Sequence, residues 1–325
     1  MLSSQDSRVT PRVQAIERVS GVSRTEFDRR FLSGDGVPVI VTDATDSWPA
    51  RSKWTFSFFR THCGSDHVTP IAGRESKAVR LMTLTEYIDY IHAPNCKPPG
   101  MWIHPTMGIP LKDPVEPPSQ PLYLLDWNPF AKHPELAVDV IPSPYFTDDW
   151  LPLLPIGLRQ LIQDTTMRFP ICWVLIGPSG SVSAMHRDFW RTHACLAMIQ
   201  GRKKFVLVAP AESEKTYDGA VDPEHRDAAR FPMFSDATTW ECVLERGELL
   251  FIPGGWWHYA RGLEPAITFS YNFFNRFNLG DYIAGLLRDA PQLLRDFKRA
   301  SDWRSRLGID WVPNEFERLP GGGGR

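Results

Sequence analysis

Apolar positions along the chain change their rhythm twice, which divides it into three parts. In the first part the spacing is mostly helical. From Ser23 the stretch SRTEFDRRF predicts a short helix capped by the Ser23 hydroxyl. Thr55–Cys63 and Thr83–Ile91 predict two more, the latter with Leu84, Tyr87, Ile88 and Ile91 on one face. Between them, Val37–Thr42 is a compact, β-branched strand signal. The Pro-rich stretch from about residue 93 to 120 reads as an ordered surface loop.

In the second part short apolar runs are broken by turn residues: Ile171–Ile176, Ala194–Ile199, Phe205–Val208, Cys242–Leu244, Glu248–Ile252 and Ala266–Phe274. Runs of that length and spacing predict a sandwich or jelly roll. Beyond Asn278 the helical period returns, with Tyr282, Ile283, Leu286 and Leu287 on one face. Pro291 is expected to open a further helix carrying Leu294, Phe297 and Trp303. The expected fold is therefore mainly β with flanking helices: a double-stranded β-helix (jelly-roll) core over about 121–278, a helical N-terminal part and C-terminal helices over 279–318. One domain spans 13–278 in this reading. Residues 1–12 and the Gly-rich 319–325 read as a disordered lead-in and tail.

Composition narrows the class without naming a chemistry. With 325 residues, 42% of them hydrophobic, the chain can bury a sizeable core. Its 36 basic and 38 acidic residues leave a net charge of -2, so no global field draws it to nucleic acid or an anionic membrane, and neither partner is expected. The opening MLSSQDSRVTPRVQAIERV is polar where a secretory signal needs an apolar run, and no stretch approaches a membrane span. The expected compartment is the cytoplasm. Five widely spaced cysteines, without a C-x-x-C pair, suggest neither a disulfide framework nor a thiolate zinc site.

The segment from Gly177 to Asp188, GPSGSVSAMHRD, is a turn followed by a strand bearing an H-x-D pair. Residues two apart on a strand point the same way, so His186 and Asp188 share a face while Arg187 faces out. A third ligand is available in Phe251–His258 (FIPGGWWH), where a strand runs into a Gly-rich turn and delivers the His258 imidazole. Two neutral imidazoles and a carboxylate on one face of a metal leave positions open for oxygen chemistry, the pattern of a non-haem Fe(II) site. An isolated H-x-D is commonly a surface feature, and a histidine beside two tryptophans is compatible with a core residue. The joint occurrence within one β-rich region, with His258 seventy residues after Asp188, favours a metal site.

These segments resemble the JmjC family of 2-oxoglutarate oxygenases, in its small cupin-like hydroxylase branch. The resemblance rests on Pro38–Val41, Trp48–Ala50 and Trp54, Pro121–Asp126, Trp173–Asp188, Ile199–Lys203 and Gly247–His258, spread over roughly 30–275; the closing G-G-W-W-H is the most specific. It implies a pocket in which Lys203 binds the distal carboxylate of 2-oxoglutarate, with Tyr123, Ser183 and Ser270 as further cosubstrate contacts. A carboxylate in an apolar barrel needs such a charge-assisted partner, and Lys204 would point to the opposite face. Tyr123 is equally compatible with a core aromatic and either serine with a strand filler. Where many relatives carry an asparagine near the cosubstrate, this chain has Ala194, Cys195 and Leu196. Thr192 or His193 is the candidate replacement, with His193 lying behind the site or at the surface rather than on the metal.

By this resemblance the reaction couples decarboxylation of 2-oxoglutarate, to succinate and CO2, with hydroxylation of a side chain in a peptide or protein. Small-molecule hydroxylation and N-methyl-lysine demethylation are alternatives of the same chemistry. Alternatives from other classes are a metal-binding scaffold without turnover and a zinc-dependent or cofactor-free cupin enzyme. Loops at Phe189–His193 and 93–120 are expected to flank the barrel mouth, with Trp190, Arg191 and Arg187 as substrate anchors, unless Trp190 plugs the core and the arginines are solvated. The C-terminal helices resemble those through which several relatives form homodimers.

Overall fold

The computed structural model describes residues 12–71, 79–93, 99–103, 120–125, 127–140, 143–146, 148–154, 172–291 and 295. Among the described residues six strands precede residue 120: β1 (Arg12–Ala15), β2 (Glu17–Val19), β3 (Val39–Val41), β4 (His67–Val68), β5 (Val79–Thr83) and β6 (Met101–Ile103). Four helices are interleaved: α1 (Arg24–Phe27), α2 (Ala50–Lys53), α3 (Phe56–Cys63) and α4 (Leu84–His92). Eight strands then follow: β7 (Cys172–Gly177), β8 (Val182–His186), β9 (His193–Gln200), β10 (Lys203–Val208), β11 (Thr238–Leu244), β12 (Leu249–Ile252), β13 (Trp257–Gly262) and β14 (Ala266–Phe273). The last continuous helix among the described residues, α5, occupies 279–291.

Those eight strands form the jelly roll. One sheet runs β1-β11-β10-β13-β8 and the other β2-β3-β12-β9-β14-β7, so the chain passes repeatedly from sheet to sheet. Every pairing among the eight is antiparallel, whereas β1 and β2 add in parallel to β11 and β3. The N-terminal part is thus more than helical: it extends both sheets, beginning at Arg12, the last residue of the expected lead-in. Parallel edge pairing between segments over two hundred residues apart leaves no local signal in the sequence.

The helices predicted before residue 93 form, the first passing from α-helix into a π-helical turn over Asp28–Leu32, with caps that explain where they start. Ser23 accepts from the Glu26 N–H at the head of α1, and Thr55 from Phe58 ahead of α3. Thr83 and Glu86 close a capping box at α4. Leu84, Tyr87, Ile88 and Ile91 are all buried there, each contributing roughly 1.5–3 kcal/mol by leaving water. The Tyr87 hydroxyl lies 3.0 Å from Leu122 O and 2.8 Å from Ile176 O, and accepts from Leu124 N. Helix α4 thereby fixes the Pro121–Leu125 segment against β7.

Three apolar clusters result. The largest lies between the six-stranded sheet and the N-terminal helices, around Phe27, Trp54, Phe59, Tyr87, Phe251 and Phe269. A second fills the barrel interior with Ile40, Met198, Phe205, Leu207, Leu250 and Ile252. The third covers the outer face of the five-stranded sheet through Met185, Val206, Trp257, Tyr259 and Phe234. Part of the expected 93–120 loop is strand β6, and most of its remainder, 94–98 and 104–119, lies outside the described residues. The lead-in before Arg12, the tail, and Leu294, Phe297 and Trp303 lie outside them too. Pro291 is the last residue of the described run of α5, and the further helix expected after it falls outside the described residues except for Arg295, which is helical.

Candidate metal centre

His186 ends β8, and His258 is the second residue of β13 directly opposite it, with ring centroids 4.1 Å apart. Asp188 lies beyond the strand, yet its φ of -66° and ψ of 149° continue the extended path and keep its side chain on the same face. Its Oδ1 is 3.6 Å from His186 Nε2 and 3.7 Å from His258 Nε2. Among the described residues these three form the group of His, Cys, Asp and Glu side chains able to share a metal, all ligand atoms lying within 4.8 Å of one another.

Hydrogen bonds set the tautomers. His186 Nδ1 lies 2.7 Å from Ala184 O, and His258 Nδ1 lies 3.3 Å from Trp256 O. A carbonyl can only accept, so each Nδ1 carries the proton and each Nε2 turns its lone pair to the shared space. That donor set, two imidazole nitrogens and one carboxylate oxygen, fits a ferrous ion. The register between β8 and β13 slips here: Ser183 faces Ala260 while His186 faces His258, three residues against two. This bulge provides the Ala184 carbonyl and lets Ser183 and His186 share the inner face, which strict alternation would forbid.

Sequence reasoning missed Asn272. Its Nδ2 donates to Asp188 Oδ2 at 2.6 Å and lies 3.2 Å from the Thr192 hydroxyl, on the interior face of β14 that also carries Thr268 and Ser270. It occupies one carboxylate oxygen and leaves the other toward the imidazoles. The signal was weak, since one strand asparagine among several aromatic residues carries no spacing rule. Thr192, one of the two candidates for replacing the absent asparagine, stands beside this group, whereas Ala194 and Leu196 line the interior. His193 is neither a ligand nor a surface residue. It is 3% exposed between Phe251 and Phe273, and its Nδ1 accepts from Gly254 N. Burial lowers its pKa to about 4, holding it neutral.

Lys203 opens β10 with its side chain inside, alongside Phe205 and Leu207, while Lys204 points out to Glu224 and Glu241 at 3.4 and 3.3 Å. Leu207 pairs with His258 and Lys203 with Gly262, so the backbone of Lys203 stands about 13 Å down the strand from that of Leu207, opposite His258. Lys203 is 2% exposed and donates to the Tyr123 hydroxyl at 2.6 Å. Burial pulls its pKa down to about 7 and pushes the Tyr123 phenol up. Tyr123 is itself held by reciprocal backbone bonds to Ile71 at 2.7 and 3.0 Å.

Gly262 N donates to Ser181 O, which makes Ser181 the neighbour of this pair across β13. A Cβ on Gly177 would lie 2.7 Å from both the Tyr123 ring and Ser181 Oγ, and one on Gly262 would lie 2.9 Å from that oxygen. Ser181 Oγ, 1% exposed in residue terms, has no hydrogen-bond partner among the described residues. A buried amine that gains by charging and an orphaned hydroxyl fit one end of a dicarboxylate. The expected substrate anchors fare unevenly. Trp190 is 3% exposed and meets Tyr282 edge-on at 5.7 Å, so it plugs the core because a hydrophobic neighbour is available there. Arg191 is exposed and pairs with Asp281, and the Arg187 guanidinium lies 4.5 Å from the Trp257 ring centroid.

The profile of the cupin-like domain family matches residues 24–279. The chain is similar to the arginine-specific demethylase JMJ20 of Arabidopsis thaliana, 27% identical over 322 residues, covering 88% of this chain and 64% of that protein. It is 27% identical over 326 residues to the 2-oxoglutarate and iron-dependent oxygenase JMJD4 of Homo sapiens, covering 92% and 70% of the two chains. It is 26% identical over 329 residues to the bifunctional arginine demethylase and lysyl-hydroxylase psr-1 of Caenorhabditis elegans, covering 94% and 72%. The chain spans less than two thirds of the length of JMJ20.

Proposed function

Because the chain belongs to the cupin-like domain family, we propose that it is an Fe(II)- and 2-oxoglutarate-dependent oxygenase that hydroxylates a side chain within a peptide or protein. The observation that carries this reading is the shared inner face: three ligand atoms converge at one end and a buried lysine waits at the other. The names of JMJD4 and psr-1 support the same chemistry, and those of psr-1 and JMJ20 support amino-acid side chains as targets.

His186, Asp188 and His258 would hold the iron, and Lys203 with Tyr123, Ser183 and Ser270 would seat 2-oxoglutarate. Iron with 2-oxoglutarate and O2 supplies the oxidising power that places one oxygen atom in a substrate C–H bond, with succinate and CO2 as co-products. The protein's own part is geometric and electrostatic. Lys203 takes up a proton as the distal carboxylate arrives, Asn272 keeps Asp188 turned to the metal, and the apolar interior of Phe205, Leu207 and Met198 excludes water.

Arg187 and Arg191, both solvent-accessible near the triad, are the anchors left for a polypeptide substrate. No helix among the described residues is long and apolar enough to cross a membrane, and the free thiols of Cys63, Cys172, Cys195 and Cys242 suit a reducing cytoplasm. The domain assignment, 13–278 followed by a helical segment, stands with this proposal, as does a homodimer through the exposed Ile283 and Leu287 of α5. Incubation with Fe(II), 2-oxoglutarate and air, against peptide pools and a metabolite panel, tests the reading by mass spectrometry. A peptide gaining one oxygen with matching succinate supports it. Oxygen added only to a small metabolite, or a peptide losing only a methyl group, overturns the assignment as a peptide or protein hydroxylase.

A further inference from the structure

The turn that follows the H-x-D pair is built against the grain of its sequence. Trp190 and Arg191 have φ of 49° and 53°, the left-handed region that β-carbon-bearing residues avoid. Two bulky residues hold it consecutively only where the surroundings over-determine the backbone. The turn also grips a metal ligand by its main chain, because Arg191 N donates to Asp188 O.

Helix α5 provides the surroundings. Gly285 lies so close that a Cβ there would meet Trp190 Cα at 2.8 Å. Tyr282 packs edge-on against the Trp190 indole and stacks on Phe274 at 3.9 Å. Asp281 pairs with the Arg191 guanidinium at 2.9 Å, and Asn278, just ahead of the helix, donates to Arg191 O at 2.9 Å. The same carbonyl abuts the loop leading to the other arm of the site: a Cβ on Gly254 would lie 2.1 Å from it. Gly254 N in turn is tied to His193. One strained turn therefore touches the Asp188 arm, the turn before His258 and α5 together.

We propose that α5 is a positioning element for the metal centre: through Asn278, Asp281, Tyr282 and Gly285 it holds the Trp190–Arg191 turn and so keeps the Asp188 carboxylate in its ligating pose. None of these four residues reaches the ligand atoms, and each acts through the turn. The inference rests on the metal-site assignment made above.

Mn(II) affinity, measured by calorimetry on the full chain, separates this role from general stability. Gly285→Val pushes the helix off the turn; Asn278→Asp keeps the acceptor toward Asn275 N but removes the donor to Arg191 O. Both should weaken Mn(II) binding roughly tenfold or more while circular dichroism stays native, the size of effect that partners of metal ligands carry. Ala284→Ser, on the exposed side of the same helix, should leave the affinity unchanged. Folded Asn278→Asp with wild-type affinity overturns the proposal, even if Gly285→Val fails to fold. A wild-type chain that does not bind Mn(II), or a His258→Ala variant that binds it equally well, overturns the metal-site assignment and the positioning role with it.

Discussion

The two ends of the barrel interior are constructed differently. At the end proposed to hold the metal, the candidate ligands sit where regular structure stops: His186 closes a strand, Asp188 lies past it, and His258 follows a Gly-rich turn. His186 and Asp188 are partly open to solvent while His258 is buried, and polar contacts from Ala184, Trp256 and Asn272 help to orient them. At the lysine end the ladder is regular, Lys203 and Tyr123 are almost wholly buried, and glycines at 177 and 262 leave the room. An end that must exchange ligands and admit substrate is assembled from loops over a rigid frame, whereas an end that only receives a carboxylate is built into the sheet. Damage should therefore show as lost metal at one end and as lost cosubstrate affinity at the other.

The largest expected effect is at the metal end. His186→Ala, Asp188→Ala and His258→Ala should each abolish succinate release and weaken metal binding while leaving circular dichroism native, since two ligands cannot keep a three-ligand geometry. Wild-type turnover in His258→Ala would show the triad to be misassigned.

Next in size is Lys203→Ala, which strips one partner from a buried ion pair, a loss of roughly 3–5 kcal/mol. The 2-oxoglutarate requirement should rise by well over an order of magnitude. Lys204→Ala removes only a half-exposed pair with Glu224 and Glu241 and should cost at most about 1 kcal/mol of stability, with no change in that requirement. A larger cosubstrate effect at Lys204 would reverse the assignment of the strand faces.

Asn272→Ala should come third, lowering Mn(II) affinity by roughly 10- to 100-fold with unchanged cosubstrate affinity once metal is saturating. Equal metal binding in the variant would remove Asn272 from the account. Smaller still is the pH dependence of the lysine end. Burial holds Lys203 at about 7, so above that pH the ligand-free amine is neutral and 2-oxoglutarate binding must take up a proton. Affinity should fall by up to about tenfold per pH unit above 7, and a flat profile is expected for Lys203→Ala. Without ligand the linkage has a definite sign. The folded pKa lies below the unfolded value, so the penalty from this residue is full below about pH 7 and fades as pH rises toward about 10.

How much of this was legible in the chain follows the same division. The jelly-roll strands, the Ser23 cap, the helix starts at Thr55 and Thr83 and the shared face of His186 and Asp188 follow from period and spacing, which are local rules, whereas His258 was read from joint occurrence and the inward Lys203 from the family resemblance. The bulge at Ala184 was hidden, since a bulge adds a residue without a turn signal, and so Ser183 reached the inner face by a route alternation does not show. Asn272 and α5 were hidden for a different reason: each meets the 188–192 segment across about eighty residues or more of chain, and only the fold brings them together. Trp190 illustrates the limit from the other side. A tryptophan after an H-x-D fits a substrate anchor or a core plug equally well until Tyr282 and Gly285 are seen against it.

That metal and lysine form the two ends of one cosubstrate pocket is tested most directly by measuring 2-oxoglutarate binding calorimetrically with and without Mn(II), in wild type and in Lys203→Ala. One ligand per chain should bind tightly to the Mn(II)-loaded wild type, and removing either Mn(II) or the lysine should weaken it by an order of magnitude or more. Binding of equal strength without the metal, or undiminished in Lys203→Ala, would contradict the account.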